Sequence, residues 1–252
     1  MLGTAVRVYR ETRKRRDQVF NTYVMRPIAA AVVSLLARTR VTPNQLTLFS
    51  LAVFVVAVSI LISLPTRGGE LMAMGTLYVS YCFDCADGML ARYKKVASKS
   101  GHLFDFLTDE LKALLLVVAL AVRAWRVGGI GLDARMWDRG DARFLLAGIA
   151  GIAILASAIS LTSFVRRPEI SGRDTTVEAF YETAADKSGA SPLARAGSHA
   201  TTFLRWLNHY PSHLWLWAIF GRLDLYFWLY IILNAAYLAQ GWLRLVLRFG
   251  RS

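Results

Sequence analysis

Six stretches of the chain, near 45 to 64, 71 to 91, 103 to 124, 144 to 165, 204 to 221 and 223 to 246, are apolar and long enough to cross a bilayer. A hydrocarbon core about 30 Å thick takes about 20 residues of helix at about 1.5 Å per residue. Lipid offers a peptide group no hydrogen bonds, so such stretches must satisfy their backbones internally as α-helices. The expected fold is therefore all-α, a polytopic membrane protein with about six transmembrane helices. The 55% hydrophobic content over 252 residues agrees, and it leaves no room for a large soluble catalytic domain.

Residues 1 to 44 read as a cytoplasmic amphipathic juxtamembrane segment, 45 to 246 as the membrane domain, and 247 to 252 as a short basic tail. Within the first, Val6 to Val24 sets apolar positions beside the basic run Arg13-Lys14-Arg15-Arg16, which fits a helix lying on the cytoplasmic leaflet. A second amphipathic piece, Val24 to Leu36, has Pro27 near its start, where a helix tolerates proline. Thr42 or Asn44 is placed to cap the first span beside Pro43. No cleavable signal peptide is expected, because the first 30 residues lack an apolar core.

Nine Lys or Arg in residues 1 to 44, four in 92 to 102 and five in 166 to 203 place these segments in the cytoplasm by the positive-inside tendency. Arg123, Arg126, Arg135, Arg139 and Arg143 in the opposing loop pull the other way. A net charge of +13 suits nucleic acid in a soluble protein. Here the basic residues flank spanning helices, and anionic lipid headgroups are the better partner. A short surface helix is expected over Thr175 to Ala185. Trp206, Tyr210, Trp215, Trp217, Tyr226, Phe227, Trp228, Tyr230 and Tyr237 read mostly as interface anchors or lipid-facing bulk.

Against this background, Asp84, Asp87, Asp105 and Asp109 stand inside the second and third spans. A carboxylate near hydrocarbon costs several kcal/mol unless it is paired, hydrated or bound to a cation. Asp84 and Asp87 are three apart, and Gly101, Asp105 and Asp109 are spaced by four, so each set falls on one helical face. Two such faces can converge on one or two hard cations of the Mg2+ or Mn2+ type, which take oxygen ligands. Interhelical salt bridges explain the acids less well, because few basic residues share their depth. Cys82 and Cys85 form a C-x-x-C around Asp84 and read as small helix residues in a packed face, with a redox pair as the alternative.

Written out, the segment is Asp84-x2-Asp87-Gly88-x2-Ala91-Arg92-x8-Gly101-x3-Asp105-x3-Asp109. It resembles the signature of the CDP-alcohol phosphotransferase family at all eight positions, and Thr42-Pro43-Asn44-Gln45-Leu46-Thr47 is similar to the family's lead into its first membrane helix. The resemblance implies a metal-dependent transferase with Asp84, Asp87, Asp105 and Asp109 as ligands, two Mg2+ or Mn2+ ions, and Asp109 also as general base. It implies a CDP site at Asp84, Gly88, Ala91, Arg92 and Gly101, and a homodimer.

The small residues also fit close helix packing, and Arg92 also fits a snorkelling anchor, as do Lys94, Lys95 and Lys99. Arg166 and Arg167 are candidates for an acceptor's phosphate, or ordinary cytoplasmic anchors. The expected activity is transfer of a phosphatidyl group from CDP-diacylglycerol to a small polar alcohol in phospholipid biosynthesis, releasing CMP at a cytoplasm-facing site. The alternatives are transfer of a phosphoalcohol from a soluble CDP-alcohol, an ion transporter and a membrane scaffold. The last two leave the register of Gly88, Ala91, Arg92 and Gly101 unexplained.

Overall fold

The computed structural model describes residues 2–13, 17–171, 203, 206, 207 and 209–249, and these described residues are all-α apart from one two-stranded ribbon. Helix α1 is Leu2–Thr12, and a π-helical turn at Asn21–Met25 leads into α2, Arg26–Leu36. The long helices are α3, Pro43–Ser63, α4, Arg67–Tyr93, and α5, Lys99–Val127. The ribbon pairs Gly129–Ile130 with Met136–Trp137 and precedes α6, Arg143–Val165, and the short α7, Pro168–Ser171. A 3-10 turn at Tyr210–Ser212, α8, Leu214–Phe220, and α9, Leu223–Phe249, complete the described chain. Lys14 to Arg16, Arg205 and the helix expected over Thr175 to Ala185 lie outside the described residues.

The long helices start where the sequence caps them. Thr42 Oγ1 accepts a hydrogen bond from the Gln45 amide at 3.3 Å, and the Thr42 amide donates to Gln45 Oε1 at 2.9 Å, with Pro43 in the first turn. Thr42, not Asn44, is therefore the cap of α3. Thr66 and Ser98 cap α4 and α5 through the amides of Gly69 and Gly101. Asp141 accepts from the backbone and guanidinium of Arg143 ahead of α6, and those contacts hold its carboxyl below the usual range.

The single amphipathic helix expected over Val6 to Val24 is two pieces. The first ends at Thr12, whose hydroxyl bonds back to the Val8 carbonyl at 2.7 Å. The second is opened by Asp17, which accepts from the Gln18 amide, Asn21 and Arg26.

By length and composition, α3, α6 and Leu223–Leu247 of α9 qualify as membrane spans. The expected second and third spans fall within α4 and α5, which are longer at 27 and 29 residues and carry the charged residues. The expected fifth span, 204 to 221, is not one continuous helix. Proline has no N–H to extend a helical ladder, and Pro211 sits in the 3-10 turn, leaving α8 only seven residues.

Contacts fix the directions of the helices. Asp224 in the first turn of α9 accepts from the Ile130 amide at 2.9 Å, Gly151 of α6 lies against Ile231, and Gly241 of α9 against Leu161. Helices α6 and α9 thus run the same way, so the chain returns between them. The returning stretch descends α4 in reverse: Tyr81 meets His209 at 2.9 Å, Tyr78 donates to the Pro211 carbonyl at 2.7 Å, and Arg67 reaches the Ile219 carbonyl.

One apolar core joins α3, α4, α5, α6, α8 and α9, and a second joins α1, α2 and the later half of α4. Close approach is built on small residues: a Cβ on Gly148 of α6 would lie 2.5 Å from that of Ala121 on α5. Tyr226, Phe227 and Tyr230 are at most 4% exposed, which corrects their expected place at the lipid interface. Cys82 and Cys85 are free thiols in the second core, as expected for packing residues. Outward rows such as Leu48, Val55 and Val56 on α3 and Leu146 and Ile149 on α6 remain exposed, as a lipid-facing surface requires.

Candidate active site

Helices α4 and α5 both pack on α3, while their backbones stay apart from one another. The link Lys94 to Ser98 joins the end of α4 to the start of α5, with Lys95 in the left-handed region at φ 58°. Lys94 secures that turn by donating to the carbonyls of Thr39 and Val41 at 2.8 and 2.9 Å. It therefore ties the helix end to the α2–α3 link, where a snorkelling anchor was expected.

Three of the four aspartates meet across the gap. Asp84 of α4 and Asp105 and Asp109 of α5 each offer a carboxylate oxygen, and these oxygens lie within 4.8 Å of one another. The i,i+4 spacing on α5 brings its two acids onto one face, as the sequence predicts. Asp87 is handled separately: it is 3% exposed, and its Oδ2 accepts from Thr47 Oγ1 of α3 at 2.5 Å. Asp109 is the open member, with half of its side chain exposed against 13% for Asp84.

Lys112, one turn beyond Asp109 and 2% exposed, donates to Asp84 and, at 3.4 Å, to Asp109. The expectation that the acids meet few basic residues needs this correction: one ammonium is set directly among them. Four carboxylates against one ammonium still leave an excess of negative charge. A cluster of hard oxygen donors with that excess fits a divalent cation of the Mg2+ or Mn2+ kind.

Around the acids, Arg92 folds back along α4. Its guanidinium lies over Gly88, where an added Cβ would sit 3.5 Å from Nη1, and its Nε donates to the Thr12 carbonyl at 3.2 Å. The end of α1 thereby closes on the same end of the gap. Gly101 is a packing position: a Cβ there would come within 3.1 Å of Ser98 Oγ and 3.4 Å of Asn44 Oδ1, so glycine lets the start of α5 approach the start of α3. Ala91 is half-buried one turn before the link. Arg166 stacks over the ring of Phe106 at 4.6 Å, beside the α5 acids in sequence, and Arg167 is exposed.

Thr47 and Lys112 are site residues that sequence reasoning did not single out. Thr47 lay within the recognised Thr42 to Thr47 run, but nothing in its spacing tied it to Asp87. Lys112 had a signal: it is a lone lysine inside an apolar span, three residues after an aspartate, hence on that residue's face.

The fold and site define a membrane-embedded helical protein with a carboxylate cluster in a gap between two charged helices. The chain matches the family model for CDP-alcohol phosphatidyltransferase over residues 40–172, more than half of its length, and it belongs to that family. The match runs from the lead into α3 through α7 and includes all eight signature positions. No curated protein matches the chain. The protein is accordingly a membrane phosphotransferase that moves a phosphoalcohol group from a CDP-alcohol to an alcohol acceptor.

Proposed function

We propose that the protein transfers a phosphatidyl group from CDP-diacylglycerol to a small polar alcohol, releasing CMP, in phospholipid biosynthesis. The observation that carries the proposal is the convergence of Asp84, Asp105 and Asp109 in the α4–α5 gap, in register with Gly88 and Arg92. Leu103, Leu107 and Leu111 form an exposed apolar stripe on the face of α5 opposite Asp105 and Asp109, a surface suited to surrounding lipid.

In this reading, Asp84, Asp105 and Asp109, with Asp87 behind them, would hold one or two Mg2+ or Mn2+ ions. When bound, the metal supplies positive charge that offsets charge growing on the phosphates. Asp109, the most exposed of the acids, accepts the proton of the acceptor hydroxyl as its oxygen attacks the phosphorus distal to cytidine. The bond from that phosphorus to the bridging oxygen breaks, and CMP leaves with the electron pair. Arg92 holds the phosphate or cytidine end of the donor with its forked donors, in the space that Gly88 leaves open. Ala91 and Gly101 complete the nucleotide wall. Arg166 and Arg167, at the end of α6, would face an acceptor that carries a phosphate.

The proposal includes six membrane crossings, with the fifth, 204 to 221, broken at Pro211, a cytoplasmic α4–α5 link, and a homodimer. The test is CMP release by purified protein with Mg2+ or Mn2+, offering CDP-diacylglycerol or CDP-choline with a panel of acceptors. Release with CDP-diacylglycerol and one polar alcohol supports the proposal. Release only with CDP-choline and a lipid hydroxyl would instead assign the soluble-donor branch.

A further inference from the structure

Lys112 lies outside the eight signature positions, yet its ammonium is bonded to two of the three carboxylates that converge in the gap. A buried lysine needs an anionic partner, and at 2% exposure this one is served by Asp84 and Asp109. A second buried cation on α5 is different in kind. Arg123 pairs with Glu70 at the far end of α4, where a single acid accepts from two arginines and no negative excess remains. At Lys112 the ratio is reversed, with several acids to one ammonium.

The position between Asp84 and Asp109 is therefore already held by a positive charge. A divalent ion taken by both residues must either displace the ammonium or settle for the oxygens that Lys112 leaves. The two cations repel in proportion to the product of their charges over their separation, and the partly dry gap screens that repulsion poorly. Displacement is also costly, because α5 carries Lys112 one turn further from the link than Asp109, toward Leu116 and Leu120 of the apolar core.

We infer that Lys112 is a built-in cation that shares Asp84 and Asp109 with the metal of the transferase site. It holds the carboxylates together before an ion arrives and weakens the site's affinity for divalent ions. The inference rests on the metal reading of the aspartates proposed above.

The experiment uses full-length protein in detergent micelles, stripped with EDTA and titrated with Mn2+, with free ion read by electron paramagnetic resonance. Wild type is compared with Lys112→Met, which keeps the apolar stem, Lys112→Arg, which keeps the charge, and Asp105→Asn. Lys112→Met is expected to bind Mn2+ about tenfold tighter than wild type, because the competing charge is gone. Its metal-free thermal midpoint should fall, and Mn2+ should raise that midpoint by more than it does for wild type. Lys112→Arg should bind no tighter than wild type. Should Lys112→Met fail to fold, Lys112→Gln carries the same expectations.

Mn2+ affinity in the charge-free variant equal to or weaker than wild type, with binding lost in Asp105→Asn, overturns the role of Lys112 and leaves the metal site standing. Absence of Mn2+ binding in all four proteins overturns the metal reading itself, and this inference with it.

Discussion

Glu70 offers a test of how the α4–α5 frame is held, at the end remote from the aspartates. Its Oε2 accepts from Arg67 and Arg123 at 2.8 Å each, and Glu70 and Arg123 are 2% and 8% exposed. Removing one partner of a buried ion pair strands the other charge, at a cost of about 3–5 kcal/mol. Arg67 is half-exposed and can turn to water, so the cost falls on Arg123. At about 2–4 °C per kcal/mol for a chain of this size, Glu70→Leu should lower the thermal midpoint by about 6–20 °C. Replacing both residues, Glu70→Leu with Arg123→Met, removes both buried charges and should recover most of that loss. CMP release per folded molecule should not change, because about 21 Å of helix separates Glu70 from Asp84. The assay is thermal unfolding in detergent followed by tryptophan fluorescence, with size-exclusion to count folded protein. A double variant less stable than either single one would refute the reasoning, as would Glu70→Leu unfolding at the wild-type midpoint.

Three further outcomes follow from the site. Thr47→Val removes the hydroxyl that donates to buried Asp87 without changing side-chain shape; a denaturation series should show a loss of about 1.5–3 kcal/mol, and CMP release should slow. Gly101→Val forces a side chain against Ser98 and Asn44, moving the first turn of α5 away from α3; CMP release should drop about a hundredfold, while a Gly3→Val control at an open position stays at the wild-type rate. EDTA should stop CMP release, and Mn2+ or Mg2+ added in excess should restore it within minutes, which a continuous coupled assay would record.

Much of the frame was legible because membrane physics leaves few options. Apolar runs free of charge, such as 45 to 64 and 144 to 165, became α3 and α6 with little shift in their ends. The cap expected at Thr42 or Asn44 falls on Thr42 and acts through a local side-chain-to-amide bond, which sequence spacing encodes directly. The convergence of Asp84 with Asp105 and Asp109 followed from helical periodicity plus a short link. What was not legible depends on tertiary placement. Hydropathy counted 204 to 221 as a span, since a window average does not register one proline at 211. Tyr226, Phe227 and Tyr230 read as interfacial by type, yet α9 turns them inward into the shared core, where Tyr226 meets Trp217 of α8, a choice made by tertiary neighbours. Thr47 meets Asp87 across forty residues, and no local pattern announces such a bond.

The most direct test of the central claim is CMP release by wild type and Asp105→Asn, measured side by side with Mg2+, CDP-diacylglycerol and the acceptor panel. Asp105 belongs to the converging triad, and the substitution keeps its size while removing its charge. Wild type should form CMP one-for-one with lipid product, and the variant, eluting and unfolding as a folded protein, should form none above background. Near-normal CMP release by Asp105→Asn would contradict the claim.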